Sequence, residues 1–127
     1  MKLSPGGLRS LCEVNVVELK FTRRNQKPGK SPTRRMLATL DADLLNSKEG
    51  LSILNFKAPT SAPAYNAESR GLLVVWDLFL QTWRSVPAAG CEIISLIPTR
   101  PIEKFWEHFN SSIGNMTAGQ KAAFHDK

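Results

Sequence analysis

The sequence has little of what metal binding, disulfide pairing and acid–base catalysis need. It contains two cysteines and two histidines in 127 residues. Cys12 and Cys91 are far apart and form no CxxC pair, which predicts buried free thiols and not a redox or metal site. His108 and His125 belong to no metal-binding spacing, and the phosphate-binding, dinucleotide-binding and nucleophile-elbow motifs are missing. We therefore expect a protein that is not an enzyme, with no catalytic residue, no bound metal and no cofactor.

Long apolar runs are also missing. No stretch approaches the roughly 18 residues that a membrane span needs. Residues 4–7, SPGG, interrupt the apolar core that a signal peptide would require. A chain of 127 residues with 42% apolar content suits one domain with a small core. These features predict a cytoplasmic protein that does not bind a membrane.

Acidic residues are scarce near the N-terminus. Residues 1–35 hold nine Lys and Arg but only Glu13 and Glu18, a net charge of +7, whereas residues 36–127 carry eight basic and nine acidic residues, a net charge of −1. Such a localised positive potential attracts nucleic acid, either DNA or RNA, or an acidic protein surface. A charged turn that only improves solubility is the alternative. Seven cations are predicted to contact phosphates: Lys20, Arg23, Arg24, Lys27, Lys30, Arg34 and Arg35.

These seven cations surround a predicted β-hairpin. Residues 14–23 alternate apolar and polar side chains, as in a half-buried strand, and residues 35–40 form a second strand. Residues 25–32 between them are polar and contain a Pro-Gly pair, which is typical of a turn. The strands are close enough to pair antiparallel across a long connection. After them, Asp41 is predicted to cap a single helical turn, which we prefer to a metal site formed with Asp43.

A second sheet-forming region follows in the middle of the chain. Its β-branched and aromatic content predicts a meander of three strands, at residues 72–80, 83–86 and 92–97. If the first turn occupies residues 79–82, Asp77 lies opposite Arg84. Opposite charges on facing strand positions contribute about 0.2–1 kcal/mol. We therefore expect a cross-strand ion pair between these two residues.

Residues 58–71, rich in Pro, Ala and Ser, are predicted to form a long irregular loop. Loops of more than about 12–15 residues in a compact domain are usually functional or disordered. Tyr65, the only tyrosine, lies in the middle of this loop. It either stacks on a nucleic-acid base or attaches the loop to the rest of the protein. Trp76 or Trp83 is the second candidate for stacking, although strand tryptophans more often belong to a core.

The C-terminal region changes to a helical period. Its apolar residues recur at i, i+3, i+4, i+7 and i+11: Ile102, Phe105, Trp106, Phe109 and Ile113. This spacing predicts an amphipathic helix with Pro101 in its first turn. We expect the helix to cover the open face or the mouth of the β domain. Docking on a partner or on a second copy is the alternative, with Phe105, Trp106 and Phe109 as the apolar anchor.

The order of the meander features resembles a known family. An apolar run, Trp76-Asp77, a short turn, Trp83-Arg84-Ser85 and an Ile-rich strand are similar to the hairpin of WYL-like small barrels, which have an SH3-like or Sm-like fold. The likeness is closest to the short versions encoded in phage genomes, and it covers residues 14–99. It implies a mainly β, α+β protein whose SH3-like or Sm-like barrel spans residues 14–99 and includes the loop at 58–71. A flexible segment, 1–13, would precede the barrel, and a helical extension, 100–127, would follow it.

The resemblance also implies one ligand position. Arg84 matches a position that contacts a ligand in such barrels, some of which are thought to sense nucleotides or nucleic-acid fragments. Residues 87–90, PAAG, stand where a charged ligand contact is common in that family. A small-molecule ligand is therefore the third choice for function.

Two functions are favoured by the sequence. The first is a non-enzymatic nucleic-acid-binding barrel of the phage type, which would contact phosphates through its basic hairpin and act in the host cytoplasm. The alternative is a protein-binding adaptor or inhibitor of a host nucleic-acid enzyme. It would use the basic hairpin against an acidic surface and the aromatic C-terminal helix as an apolar anchor.

Overall fold

The computed structural model describes residues 3–22, 28–29, 33–47, 51, 58–59 and 68–113. Within them the chain forms a small α+β protein whose five strands make one antiparallel sheet. The elements in chain order are α1 (Pro5–Val14), β1 (Asn15–Thr22), β2 (Thr33–Thr39), α2 (Ala42–Leu45), β3 (Leu72–Asp77), β4 (Thr82–Pro87), β5 (Glu92–Pro98) and α3 (Ile102–Ile113). Short 3₁₀ turns precede β3 at Glu68–Arg70 and link β4 to β5 at Ala88–Gly90. The mainly β, α+β class is thereby confirmed.

The sheet is strongly curved but not closed. Its strand order is β4-β3-β2-β1-β5, so that β4 and β5 form opposite edges, yet only residues 88–91 connect them. A flat sheet would hold these edges about 19 Å apart, since neighbouring strands lie about 4.8 Å from each other. That distance exceeds the roughly 17 Å that the five Cα-to-Cα steps from Pro87 to Glu92 can span, and the 3₁₀ turn shortens the connection further. The sheet must therefore curl to bring its edges closer.

The first helix forms within the N-terminal segment, 1–13, for which the sequence predicted flexibility. Ser4 caps α1, because its side-chain oxygen accepts a hydrogen bond from the Gly7 backbone N–H at 3.0 Å, and Pro5 stands at the start of the helix. Proline suits the first turn of a helix, where its missing N–H costs nothing. Leu8 and Cys12 on this helix are completely buried. Helix α1 thus contributes to the core.

Helices cover the sheet on both faces, and each face has its own apolar core. Helix α1 packs against one face, whose core residues include Val17, Leu19, Met36, Ala38, Leu73, Val75 and Val86. Helices α2 and α3 pack against the other, whose core residues include Val16, Leu37, Trp76, Leu78 and Phe79. Because both faces are covered, all six residues of β3 are buried. An alternating apolar pattern is accordingly missing from that strand.

The predicted C-terminal helix forms with the expected apolar face. Phe105, Trp106 and Phe109 are only 4%, 8% and 2% exposed and pack against one another in the core of the second face. The Trp106 indole N–H donates a hydrogen bond to the Ser47 hydroxyl oxygen at 3.0 Å. The helix therefore covers its own sheet. Its three aromatic rings, which the alternative interpretation assigned to a partner, pack in the protein's own core.

Candidate nucleic-acid interface

The basic hairpin forms a regular ladder that runs past its neighbours. Strands β1 and β2 are paired from Val17 opposite Ala38 to Thr22 opposite Thr33. On one side β5 begins opposite Lys20, and on the other side the β3 ladder reaches only as far as Ala38. The end of the hairpin, residues 21–22 and 33–34, thus has no neighbouring strand among the described residues. We call this two-stranded end, together with Lys20 and Arg35, the ribbon.

The ribbon places its cations on both faces. Lys20 and Arg35 lie directly opposite each other in the ladder and so share one face of the sheet. Arg34 lies opposite Phe21, and because neighbouring residues in a strand alternate, its side chain belongs to the other face. The structure therefore brings Lys20 and Arg35 together and separates Arg34 from them.

Arg34 contacts a buried carboxylate. Its Nη2 atom lies 3.3 Å from Oδ2 of Asp77, a residue that is completely buried, and the Arg34 side chain itself is only 14% exposed. The second oxygen of Asp77 accepts hydrogen bonds from the backbone N–H groups of Phe79 and Leu80, at 3.0 and 3.1 Å. Arg34 and Asp77 thus join the β1–β2 hairpin to the turn between β3 and β4.

This arrangement replaces the predicted ion pair between Asp77 and Arg84. The turn occupies residues 78–81, one residue earlier than the sequence suggested, so that Asp77 faces Thr82 and Arg84 faces Val75. Arg84 is exposed on the edge strand β4. The ion-pair prediction was therefore wrong, and Arg84 stays a candidate ligand contact only through the resemblance.

Arg35 also contacts an acidic residue, whereas Lys20 pairs with none in the described part of the chain. Arg35 forms an ion pair with Glu18, which also accepts a hydrogen bond from the Ser95 hydroxyl at 3.4 Å. Lys20 is half-buried, faces Glu92 of β5 across the sheet, and makes no ion pair with any described residue. Sequence reasoning missed the roles of Glu18 and Asp77. Glu18 lies two residues before Lys20, which faces Arg35, and this short separation was a usable signal for the contact of Glu18 with the hairpin cations. No local feature of the sequence points to the contact of Asp77 with Arg34.

The connection between the two strands is described only at Pro28 and Gly29, which form an exposed turn. Gly29 has a φ of +78°, a conformation that glycine adopts without steric cost. Five of the predicted site residues lie outside the described residues: Arg23, Arg24, Lys27, Lys30 and Tyr65. Four of these five are cations of the connection.

The described aromatic side chains are packed inside the protein. Trp76 is 5% exposed, and the half-buried Trp83 meets it edge to face, with ring centroids 5.2 Å apart. Phe21 is 9% exposed, although it lies on the ribbon. Of the two tryptophans that were candidates for stacking on bases, Trp76 is therefore inaccessible and Trp83 presents only part of its ring.

The predicted cap at Asp41 is confirmed. Its carboxylate accepts hydrogen bonds from the backbone N–H groups of Asp43 and Leu44 at 3.0 and 3.2 Å. Arg100 binds both acidic side chains, with Nη1 3.2 Å from Asp41 and Nη2 2.6 Å from Asp43, and Thr99 donates a hydrogen bond to Asp41. These contacts attach α2 to the end of β5. No group of three or more metal-ligating side chains occurs in the described part of the chain.

Both thiols are free, as predicted, and burial weakens their acidity. Burial raises the pKa of the Cys12 thiol to about 12, with a smaller contribution from the nearby Cys91 thiol. Burial likewise raises the pKa of Cys91 to about 11, although this residue is only partly buried. Since the thiolate is the reactive form, neither thiol is a nucleophile near neutral pH.

Comparisons with known proteins assign no family to this arrangement. No family model matches the chain, and neither the curated proteins nor the solved structures include a match. Among the described helices, none has the length and apolar character needed to cross a membrane.

Proposed function

We propose that the protein is a non-enzymatic nucleic-acid-binding protein that contacts phosphates through its basic β1–β2 hairpin. The cations of the connection, residues 23–32, would make most of these contacts. The protein would act in the cytoplasm, which for a phage-encoded protein is that of the host. A small SH3-like or Sm-like barrel would serve as the scaffold that presents the hairpin.

One observation carries this proposal: the strand cations and the connection cations differ in their surroundings. Arg34 and Arg35 contact Asp77 and Glu18, so much of their charge is offset within the fold. The connection adds four cations and no acidic residue: Arg23, Arg24, Lys27 and Lys30. The local excess of positive charge therefore belongs to the connection. A positive loop of this kind neutralises phosphates and releases the counterions that surround them.

The course of the sheet supports a barrel-like scaffold. Five antiparallel strands in the order β4-β3-β2-β1-β5, with only residues 88–91 between the two edge strands, require strong curvature. Curvature that brings β4 toward β5 is the geometry from which a small barrel is made. Helix α1 then covers the side that contains Leu19, Met36 and Val75.

The adaptor alternative has lost its apolar anchor, since Phe105, Trp106 and Phe109 are buried within the protein. The basic hairpin alone would have to recognise an acidic protein surface. No contact in the described residues favours that partner over nucleic acid, and we keep it as an outcome of the test.

The proposal is tested with two charge-matched variants. The first changes Arg23, Arg24 and Lys27 to glutamine. The second, the control, makes the same changes at Arg9, Arg70 and Lys104, three exposed cations outside the hairpin. Binding of each protein to labelled single-stranded and duplex oligonucleotides is followed by fluorescence anisotropy at about 0.1 M salt.

Each lost phosphate contact should weaken binding about five- to eightfold at ~0.1 M salt, since log affinity changes with log salt by about −0.7 to −0.9 per contact. The hairpin variant should therefore lose about a hundredfold or more, while the control variant changes little. Equal losses in both variants would indicate that only net charge matters. If the unmodified protein binds no oligonucleotide even at low salt, the nucleic-acid function is refuted.

A further inference from the structure

The edge of the sheet at β5 carries exposed apolar side chains. Four large apolar side chains are exposed among the described residues: Val14, Leu80, Ile94 and Leu96. Three of these four lie together, since Ile94 and Leu96 belong to β5 and Val14 lies beside the end of that strand. The other edge strand, β4, exposes the cation Arg84 instead. A charge on an edge strand discourages pairing with another chain, whereas an exposed apolar edge favours it.

The backbone of Leu96 points to the open side of this edge. The Thr99 N–H donates a hydrogen bond to the Val14 carbonyl oxygen at 3.2 Å, so residues 14 and 99 form a hydrogen-bonded pair. Hydrogen-bonded and non-hydrogen-bonded pairs alternate along an antiparallel ladder. Leu96 faces Val17 three pairs further along, before the bulge that follows Glu18. The N–H and C=O of Leu96 therefore point away from β1, to a side on which no described strand lies.

A second copy of β5 fits this edge by its shape. If two copies pair antiparallel about a two-fold axis at Leu96, the two Leu96 residues face each other and exchange both backbone hydrogen bonds. The same register brings Ile94 next to Pro98 of the other copy, at the end of β5 where Val14 is exposed. Pro98 has no N–H to donate, but its carbonyl oxygen can still accept a hydrogen bond. The exposed apolar side chains of each copy thus cover those of the other.

Charge also favours a second copy over nucleic acid or an acidic protein surface. Strand β5 contains no cation, so it offers nothing that attracts a phosphate or a carboxylate. Its one charged residue is Glu92, which is exposed at the start of the strand. The register at Leu96 directs Glu92 toward Arg100 of the other copy, a half-exposed cation that also binds Asp41 and Asp43. Because of the two-fold symmetry, this attraction occurs twice.

We propose that the protein forms a symmetric dimer in which the β5 strands of two copies pair antiparallel and join their sheets. This inference goes beyond the proposed nucleic-acid function and does not depend on it. A strand of seven residues is about 23 Å long. Interfaces of such limited extent belong to weak, reversible associations. The fraction of dimer should therefore rise with protein concentration.

The oligomeric state of the full chain tests the proposal. Sedimentation equilibrium is measured from about 1 μM to about 1 mM protein, the range in which a weak dimer forms. The mass should rise from the 14.1 kDa of one chain toward twice that value. Leu96→Lys should weaken the dimer about tenfold or more, since it places like charges opposite each other on the two-fold axis. Leu80→Lys is the matched control, because Leu80 and Leu96 are 40% and 45% exposed and Leu80 lies outside β5.

A cysteine at the axis tests the register and does not require a charge. The Cα atoms of a hydrogen-bonded pair lie about 5.5 Å apart, within the range of about 4.4–6.8 Å that a disulfide spans. Leu96→Cys should therefore form a covalent dimer when oxidised glutathione is added, and Leu80→Cys should form it at least about tenfold more slowly. Far-UV circular dichroism checks that each variant is folded.

Several outcomes would overturn the symmetric dimer. One is a mass of 14.1 kDa for the unmodified protein at every concentration. Equal effects of the two lysine changes, or equal cross-linking of the two cysteine variants, would also overturn it. Species larger than a dimer would indicate head-to-tail pairing of β5 with another edge, since such contacts produce rings or filaments.

Discussion

Replacement of Asp77 should be among the most damaging single changes in this protein. Its buried carboxylate accepts two backbone hydrogen bonds from the turn at Phe79 and Leu80 and contacts Arg34. Removing one member of a buried ion pair costs about 3–5 kcal/mol, because the other charge keeps its desolvation cost. We expect Asp77→Ala to lower the free energy of unfolding by that amount. Such a loss is a large part of the free energy of unfolding of a typical domain, which is roughly 5–15 kcal/mol.

Asp77→Asn makes this prediction testable even if the alanine variant does not fold. The amide oxygen can still accept the two turn hydrogen bonds, so that only the charged contact with Arg34 is lost, at a cost of about 1.5–3 kcal/mol. Urea unfolding measures both variants. Arg84→Gln is the control, with an expected change within about 0.5 kcal/mol. A double-mutant cycle should give a larger coupling of Asp77 with Arg34 than with Arg84. The reverse order would refute the described register of the turn.

Three further changes test other parts of the fold. Gln81 has a φ of +57°, so Gln81→Gly should raise the free energy of unfolding by about 0.5–1 kcal/mol, measured by urea unfolding. A lower free energy of unfolding would contradict the turn geometry. Phe109→Ala should cost about 3–5 kcal/mol, because the ring is 2% exposed; a neutral effect would instead favour a partner-binding role. Burial raises the pKa of Cys12 from 9.0 to about 12, so the unfolded chain loses this proton first and stability should fall between about pH 9 and 12. Cys12→Ala should reduce this loss of stability at high pH. An unchanged pH profile of stability in the variant would contradict the role of Cys12.

The strands were predictable because their patterns are local. Residues 14–23 and 35–40 were expected as strands, and β1 and β2 occupy Asn15–Thr22 and Thr33–Thr39. The apolar runs of the meander likewise became β3 and β5, and the helical period after Pro101 became α3. In each case the spacing of the element's own apolar side chains predicts the burial that stabilises it.

The features that were not predicted from the sequence depend on the exact position of a turn or on contacts between residues far apart in the chain. The first helix was not predicted, although Ser4 followed by Pro5 is a typical helix start. The partner of Asp77 was missed because moving a turn by one residue moves the facing residue by two, from Arg84 to Thr82. Arg34 lies 43 residues from Asp77 along the chain. No local pattern could have joined them.

The positive charge of the candidate site was predictable from the sequence, but the acidic residues that offset part of it were not. The cluster of cations is plain in the sequence, and the structure adds that Asp77 and Glu18 contact two of them. That addition depends on the ladder register, which sets Lys20 opposite Arg35 and puts Arg34 on the other face. The resemblance to small barrels suggested the strand content, whereas the helical cover on both faces of the sheet came from the structure.

The salt dependence of DNA binding tests the central claim most directly. The dissociation constant for a DNA duplex is measured from about 0.05 to 0.2 M salt for the unmodified protein, the hairpin variant and the charge-matched control. If the connection contacts phosphates, the slope of log affinity against log salt should become shallower by about 2.7 when its three cations are removed, and it should not change in the control. Equal slopes for the hairpin variant and the unmodified protein would contradict the account.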